Sequence, residues 1–410
     1  MTPCSEITYK QHVSVGGKER NENVMRILYL EWSSTGKEDL EEAFIKEGHI
    51  LIRPPFFFME KTYADLPEVE SQLRTVLREK TPDVVFTVNY YPAISEFCRK
   101  EKIRYVAWIY DSPYGRLYSR TVLNPCNTIY VFDKELYLEF HNAGIFTVHY
   151  MPMAANTERL DLLAKNDTSP LPYDYDVSFV GSLYLEKANY FDQMTPLLSD
   201  YAKGYLNALI AAQMKVQGYN FIEEVLGPIM DEMMKAFPLK REPGSTVSDE
   251  WLYANAVINR RITAIERIDL LDAVAGKHMV DFFTYYEDFT LPNVCNHGPV
   301  DYCDEMPHVF RRSRINLNIT LRGMKSGIPL RAFDIMGCGG FLLSNFQADF
   351  LDFFVPGEDF VYYESKEDLL QKIDYYLDHE EERRAIARNG HDKVAEGHTY
   401  RHRIREMFDF

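Results

Sequence analysis

The sequence contains no run of apolar residues long enough to cross a bilayer, so no helical membrane span is expected. It is short of positive charge. Its 45 Lys and Arg stand against 62 Asp and Glu, and the net charge of -17 argues against a nucleic-acid-binding surface while leaving room for a local basic pocket. Cysteine is sparse and scattered: Cys4, Cys98, Cys126, Cys295, Cys303 and Cys338 show no CxxC spacing. Neither a zinc site nor a disulfide framework is therefore expected, and the thiols read as buried groups in a reducing compartment. The first 24 residues are polar and lack an apolar signal core, so secretion is not expected, the segment reads as a loose arm, and the expected location is cytoplasmic.

What is present is globular. At 410 residues, 46% apolar and 26% charged, the chain has the length and composition for two domains with separate cores. Short apolar runs at Arg26–Leu30, His49–Ile52, Pro82–Val88, Ile103–Tyr110 and Thr128–Phe132 alternate with helical stretches, which predicts an α/β fold with a doubly wound parallel sheet. Ligands of such sheets sit at the carboxyl ends of the strands. The segment 156–174 is Pro-rich and polar and reads as a linker. A second domain is expected over 175–396, with a mainly helical insertion at about 189–276, and a basic terminal helix over 397–410. Within the insertion, Ile222, Val225, Leu226, Ile229, Met230, Met233, Met234 and Phe237 follow helical spacing, with Gly227-Pro228 as a kink. The stripe reads as a core face, with docking of a protein partner as the alternative.

The most informative stretch is Ser326-Gly-Ile-Pro-Leu-Arg-Ala-Phe-Asp-Ile-Met-Gly-Cys-Gly-Gly-Phe-Leu-Leu-Ser-Asn345, directly after the apolar run Ile315–Leu321. It predicts a strand, a basic glycine-containing loop (Arg322-Gly-Met-Lys-Ser-Gly327), a helix opened by Pro329 and closed by Gly339-Gly340, and a second strand. Such a unit aims free backbone N–H groups and the positive end of the helix at the loop, which suits a phosphate. Arg322 and Lys325 add two mobile cations, Ser326 and Gly327 complete the loop, and Asp334 in the second helical turn is placed to accept hydrogen bonds from a ribose.

This wording resembles the donor-binding segment of GT-B glycosyltransferases, in the group that includes the CgeB-like spore-maturation proteins. Supporting segments occur in order along the chain from Met25 onward: Trp108-Ile-Tyr-Asp-Ser-Pro113, Tyr175–Tyr184, Asn316–Ile319, Arg331-Ala-Phe-Asp334 and His398-Thr-Tyr400. The resemblance implies two Rossmann-like domains facing a cleft, an acceptor-side domain over 25–155, a nucleotide-sugar-binding second domain, and a terminal helix that crosses back to the first. It implies a ribose contact for Asp334 in the pattern acid-x-x-x-Cys-Gly. Related retaining enzymes carry a second Glu eight positions earlier, where this chain has Ser326. Gly181-Ser-Leu-Tyr-Leu-Glu-Lys187 resembles the Gly-Arg-x-x-x-x-Lys loop that holds the donor diphosphate, with Ser182 in place of the arginine and Lys187 in register.

The donor set expected on these grounds is Gly181, Ser182, Lys187, Arg322, Lys325, Ser326, Gly327, Arg331 and Asp334. A surface role for Lys187 is the plain alternative. Asp111, at a strand end, is the candidate catalytic base or acceptor-orienting group, and capping of the Ser112-Pro113 turn is its alternative. Trp108 and Tyr110 read as core, His297 and His308 as structural or solvated, and Pro54–Phe58 as a candidate acceptor wall. No Asp-x-Asp motif stands in a promising context, so metal-independent transfer without a cofactor is expected, from a UDP-sugar to a glycan, protein or small-molecule hydroxyl. The resemblance favours retention and a hexosyl- or N-acetylhexosaminyl-type transfer. The alternatives are a non-catalytic sugar-nucleotide or glycan-binding protein in the same shell, and a nucleotide-sugar epimerase.

Overall fold

The computed structural model describes residues 24–30, 35–54, 66–167, 173–185, 189–242 and 244–408. Two six-stranded sheets, each wholly parallel, organise the chain. The first contains β1 (Arg26–Leu30), β2 (Ile50–Ile52), β3 (Val84–Val88), β4 (Arg104–Trp108), β5 (Asn127–Val131) and β6 (Val148–Tyr150), in the spatial order β2-β1-β3-β4-β5-β6. The second contains β7 (Tyr175–Val180), β8 (Val280–Phe283), β9 (Val294–Asn296), β10 (Ser313–Asn318), β11 (Leu342–Asn345) and β12 (Val361–Tyr363), ordered β12-β11-β10-β7-β8-β9. Each is a Rossmann-like sheet whose order reverses once, between β1 and β3 in the first and between β7 and β10 in the second. The expected GT-B architecture is the one observed.

The central strands are apolar on both faces because helices cover both, as a parallel sheet requires. All of Val84–Val88 is buried, and so is all of Tyr105–Trp108. Trp108 is fully buried and meets Tyr110 edge-on at 5.1 Å, so both are core residues. The short edge strands β6 (Val148–Tyr150) and β9 (Val294–Asn296) include His149 and Asn296, so neither stands out as an apolar run in the sequence.

Between β7 and β8 the chain forms a helical layer with a core of its own, including Phe191, Met194, Leu206, Ile229 and Met233. The apolar stripe of the insertion faces this core: Ile222, Leu226, Ile229, Met230 and Met233 are buried. It is carried by two helices, Ile222–Val225 and Gly227–Ala236, separated where Gly227-Pro228 restarts the chain. The layer also touches the first domain. Thr246 N donates to Tyr118 O at 2.7 Å, and Trp251 lies 5.1 Å from the Tyr118 ring.

The terminal helix Tyr400–Phe408 lies against helix Lys37–Lys46 of the first domain, with Phe408 5.8 Å from Phe44 and Arg401 and Arg405 both paired with Glu47. Arg403, almost fully buried, fastens its start by donating to Pro152 O, Met153 O and His398 Nδ1. Lys187, most of the first arm and Phe56–Phe58 lie outside the described residues.

Candidate functional site

The carboxyl ends of both sheets meet at the junction of the two domains. At the reversal point of the second sheet, β7 is followed by Gly181-Ser182 and β10 by Ile319. A buried arginine joins the two strand ends: Arg267 donates to Ser182 O and to Ile319 O and lies over the rings of Phe179 and Tyr184. Burial lowers its pKa, and the two carbonyl contacts compensate the charge it retains. The turn thus has an arginine, although not at the position of Ser182. Arg267 sits in helix Asn259–Ala275, distant in sequence from both strands, and only its apolar surroundings on that helix set it apart as a residue.

The loop after β10 opens helix Leu330–Gly337, with Pro329 immediately before it as expected. The free loop amides are already engaged. Asp133, fully buried at the end of β5, accepts from Lys325 N at 2.8 Å and from Ser326 N at 3.3 Å, and Ser326 Oγ donates to it at 3.1 Å. The same carboxylate caps helix Lys134–Asn142 by accepting from Leu136 N. Gly327 is required here by close approach, because a Cβ would stand 2.9 Å from the Phe132 ring and 3.0 Å from Asp133 Cα. Ser326 also accepts, through Oγ, from Glu135 N, and through its carbonyl from Asp349 N. Asp349 in turn accepts from Lys134 N and Tyr150 OH, and burial pushes its pKa up to about 6. Ser326 is therefore the centre of a contact between the domains.

Arg322 departs from the expected mobile cation. Its guanidinium makes a two-pronged pair with Glu266 (2.6 and 2.7 Å) and donates to Val216 O, with both side chains about 10% exposed. The fork of the arginine matches the carboxylate, which fixes both. Lys325 is exposed and reaches Glu139 at 2.6 Å. Arg331 lies over Phe310 and donates to the Met306 sulfur.

Asp334 occupies the second turn of the loop helix and is only 7% exposed. It faces the interface with the first domain rather than an open cleft. Tyr302 OH donates to its Oδ1 at 2.8 Å, while Oδ2 is buried with no hydrogen-bond partner among the described residues. Burial pushes its pKa up to about 6, opposed by Arg331 and the Tyr302 hydrogen bond and assisted by Asp39. Across from it lies the end of the first β–α loop, where a Cβ on Gly36 would stand 3.4 Å from Tyr302 OH. Tyr302 carries no sequence signal, being one aromatic in a loop between β9 and β10.

Asp111 follows β4 at its carboxyl end, exposed, with Asn89 Nδ2 donating to it at 2.9 Å. Asn89 Oδ1 accepts from Tyr110 N and Asp111 N, so one amide fixes the strand end and its carboxylate together. A cleft of ≈ 370 Å³ opens beside these elements, lined by Ser112–Tyr114, Arg322–Ser326 and, from the helical insertion, Glu223, Trp251 and Asn255. The structure thus brings Arg322, Lys325 and Ser326 together along this cleft. Asp334 and Arg331 stand apart from it on the loop helix, and Gly181-Ser182 at the strand reversal.

Residues 260–409 match a family model described as "Glycosyl transferase-like", a span that includes the loop after β10, its helix and the terminal helix. No curated protein matches the chain. Among solved structures, sucrose-phosphate synthase from Thermosynechococcus elongatus is 13% identical with a TM-score of 0.51, covering 94% of this chain and 98% of that one. Anabaena Alr3699/HepE, solved in complex with UDP-glucose, is 10% identical with a TM-score of 0.51, covering 94% and 99%. At these identities the likeness is one of fold, and the fold is GT-B. Family match and fold together support a glycosyltransferase.

Proposed function

We propose that the protein transfers a sugar from a nucleotide diphosphate sugar, a UDP-sugar in the first instance, to an acceptor hydroxyl. The observation that carries this reading is Asp334: a buried carboxylate with one oxygen unpartnered, in the helix after the loop at the end of β10. Buried polar atoms without partners are rare in folded proteins and call for a reason. A ribose diol supplies two donors to such a carboxylate once the domains part enough to admit it. The HepE complex with UDP-glucose lends support to the choice of donor.

In this reading the bond from the anomeric carbon to the diphosphate oxygen breaks, and the acceptor oxygen bonds to that carbon. The acceptor bonds on the face from which the diphosphate leaves, as retention requires, and its proton passes to a base, with Asp111 the proposed group, positioned by Asn89. Negative charge gathers on the leaving diphosphate. Lys187 and the Lys325 ammonium are its proposed partners, with Ser326 and Gly327 fixing the path of the loop against Asp133, Arg322 setting its shape from beneath and Arg331 adding to the field at Asp334. Gly181 and Ser182 are proposed to let the diphosphate approach the backbone. We assign retention, metal-independent transfer of a hexosyl- or N-acetylhexosaminyl-type group, membership of the CgeB-like group and a cytoplasmic location to the same reading. The acceptor is proposed to enter by the cleft between Tyr114 and Trp251. Closure between the domains then excludes water and favours transfer over hydrolysis.

The test is turnover with a panel of nucleotide sugars, with and without acceptor hydroxyl compounds, after chelation of metal ions. Acceptor-dependent release of nucleotide diphosphate is expected, unchanged when manganese is added back. Isomerised sugar without an acceptor would point to an epimerase, and tight binding without turnover to a binding protein.

A further inference from the structure

On the far edge of the second sheet, β8 and β9 pair in parallel with Asp281 beside Cys295. His297 follows two residues later, so it projects to the same side as Cys295. The three side chains converge: one ligand atom from each of Asp281, Cys295 and His297 lies within 4.8 Å of the other two. His297 Nε2 is 2.8 Å from Asp281 Oδ1. This is a mixed set of oxygen, sulfur and nitrogen donors, of different character from the exposed acidic groups common on protein surfaces. The combination of thiolate, imidazole and carboxylate suits a borderline-soft ion that accepts tetrahedral geometry.

The surroundings hold the three groups in place. The His297 ring stacks on Phe283 at 4.7 Å and meets Tyr175 edge-on at 5.6 Å, which fixes its plane. Its backbone N–H donates to Phe282 O, which continues the strand pairing to the histidine itself. Asn296 donates to the carbonyls of Tyr286 and Phe289 and accepts from Gly298 N, anchoring the strand end between the two ligands. Asp281 is buried whereas Cys295 and His297 are exposed, so an ion entering from solvent meets two accessible ligands first.

We propose that Asp281, Cys295 and His297 form a zinc site, with the fourth position taken by water. On binding, the Cys295 thiol loses its proton to solvent as the Zn–S bond forms, so occupancy weakens with acid. The ion ties edge strand β9 to β8 and steadies the segment that leads from His297 to Tyr302, the residue that holds Asp334. The ion braces this edge of the sheet, and the proposal does not rest on the proposed transfer reaction.

The test uses the full-length reduced protein, stripped of metal with a chelator and then freed of it, and titrated with Co²⁺ as a spectroscopic substitute for Zn²⁺. The expected result is saturation at one equivalent, with intense visible bands of a four-coordinate ion and a near-ultraviolet thiolate-to-cobalt charge-transfer band. Zinc then bleaches both and raises the melting temperature of the wild type. Cys295→Ser removes the charge-transfer band. His297→Gln and Asp281→Asn, checked for fold by circular dichroism, bind cobalt at least about tenfold more weakly, comparable to the loss of a supporting residue at known sites. If Cys295→Ser fails to fold, the wild-type spectrum and the His297→Gln titration decide. A pale six-coordinate spectrum, no saturation, or a charge-transfer band that survives Cys295→Ser would overturn the proposal.

Discussion

The carboxylate of Asp133 holds the backbone of Ser326 across the domain junction, accepting from its N–H at 3.3 Å and from its hydroxyl at 3.1 Å. Asp133 thereby supplies to the loop after β10 the negative charge that a phosphate would bring.

Removing it should be felt in both domains. Asp133→Ala leaves the amides of Lys325 and Ser326 without their acceptor and takes the cap from helix Lys134–Asn142. The expected loss is about 1–3 kcal/mol for donors left unpaired, with a further ~1 kcal/mol for the cap. Asp133→Asn, which keeps an acceptor oxygen, should lose clearly less. Chemical denaturation of the two variants measures this, and equal stability of Ala and Asn would remove Asp133 from the role given to it here.

Arg322 and Glu266 form a second pair whose partners depend on one another. Both are about 10% exposed and meet by two hydrogen bonds, so deleting either leaves a charge in poor solvent. Arg322→Ala is expected to cost about 3–5 kcal/mol, as broken buried pairs do. Replacing both together, Arg322→Met with Glu266→Leu, should recover most of that. If Arg322→Ala instead leaves the melting temperature unchanged and weakens only donor binding, the arginine is a free ligand of the diphosphate and not a support for the loop.

The sheets and the loop-helix unit were legible because their signals are local. Val84–Val88 is an apolar run bounded by polar residues, and Pro329 with Gly339-Gly340 brackets the helix between them. The partners of the site residues were not legible, because pairing over long separations leaves no local pattern. Asp133 lies 193 positions from Ser326, and by itself it reads as an ordinary helix cap. Arg322 shows the same limit: a basic residue in a glycine-containing loop looks mobile until Glu266, 56 positions away, is placed against it. Cys295 reads as a buried thiol and His297 as a structural or solvated histidine because the spacing that joins them to Asp281 is across two strands rather than along one. The edge strand β9, only three residues long, hid that pairing.

His398 predicts a pH dependence of stability. It is packed against Phe333, Phe353 and Phe354, and burial, with Arg403 beside it, holds its pKa down at about 3. A histidine kept neutral in the fold contributes stability that is present above its ordinary pKa of 6.5 and is lost as pH falls from there towards 3. His398→Gln still offers an acceptor to Arg403 but does not titrate. It should be less stable than wild type at neutral pH, through lost ring contacts, and the gap should narrow steadily below pH 6.5. Melting temperatures of both proteins across this range provide the check, and a gap that stays constant would show that His398 is not the titrating group.

Asp334 links stability, pH and the proposed function in one side chain. Its pKa is raised to about 6 by burial, so the folded protein favours the protonated form, and the ionised form costs stability as pH rises from 3.8 towards 6. A ribose diol donates to the carboxylate, so it should prefer the ionised form. Donor affinity is therefore expected to rise as pH passes upward through about 6, in the direction opposite to the contribution of Asp334 to stability. Asp334→Asn keeps the shape and the Tyr302 contact but removes the charge. It should flatten this pH dependence and weaken nucleotide-sugar binding by roughly 1.5–3 kcal/mol, the range for a hydrogen bond to a charged group. A 2′,3′-dideoxy nucleotide should bind wild type and variant alike, since it has no diol to offer. Calorimetric titration of both ligands at pH 5 and pH 8 separates the outcomes. If the variant binds both ligands as wild type does and only its stability changes, Asp334 is a buried partner of Tyr302 and the proposed ribose contact is lost.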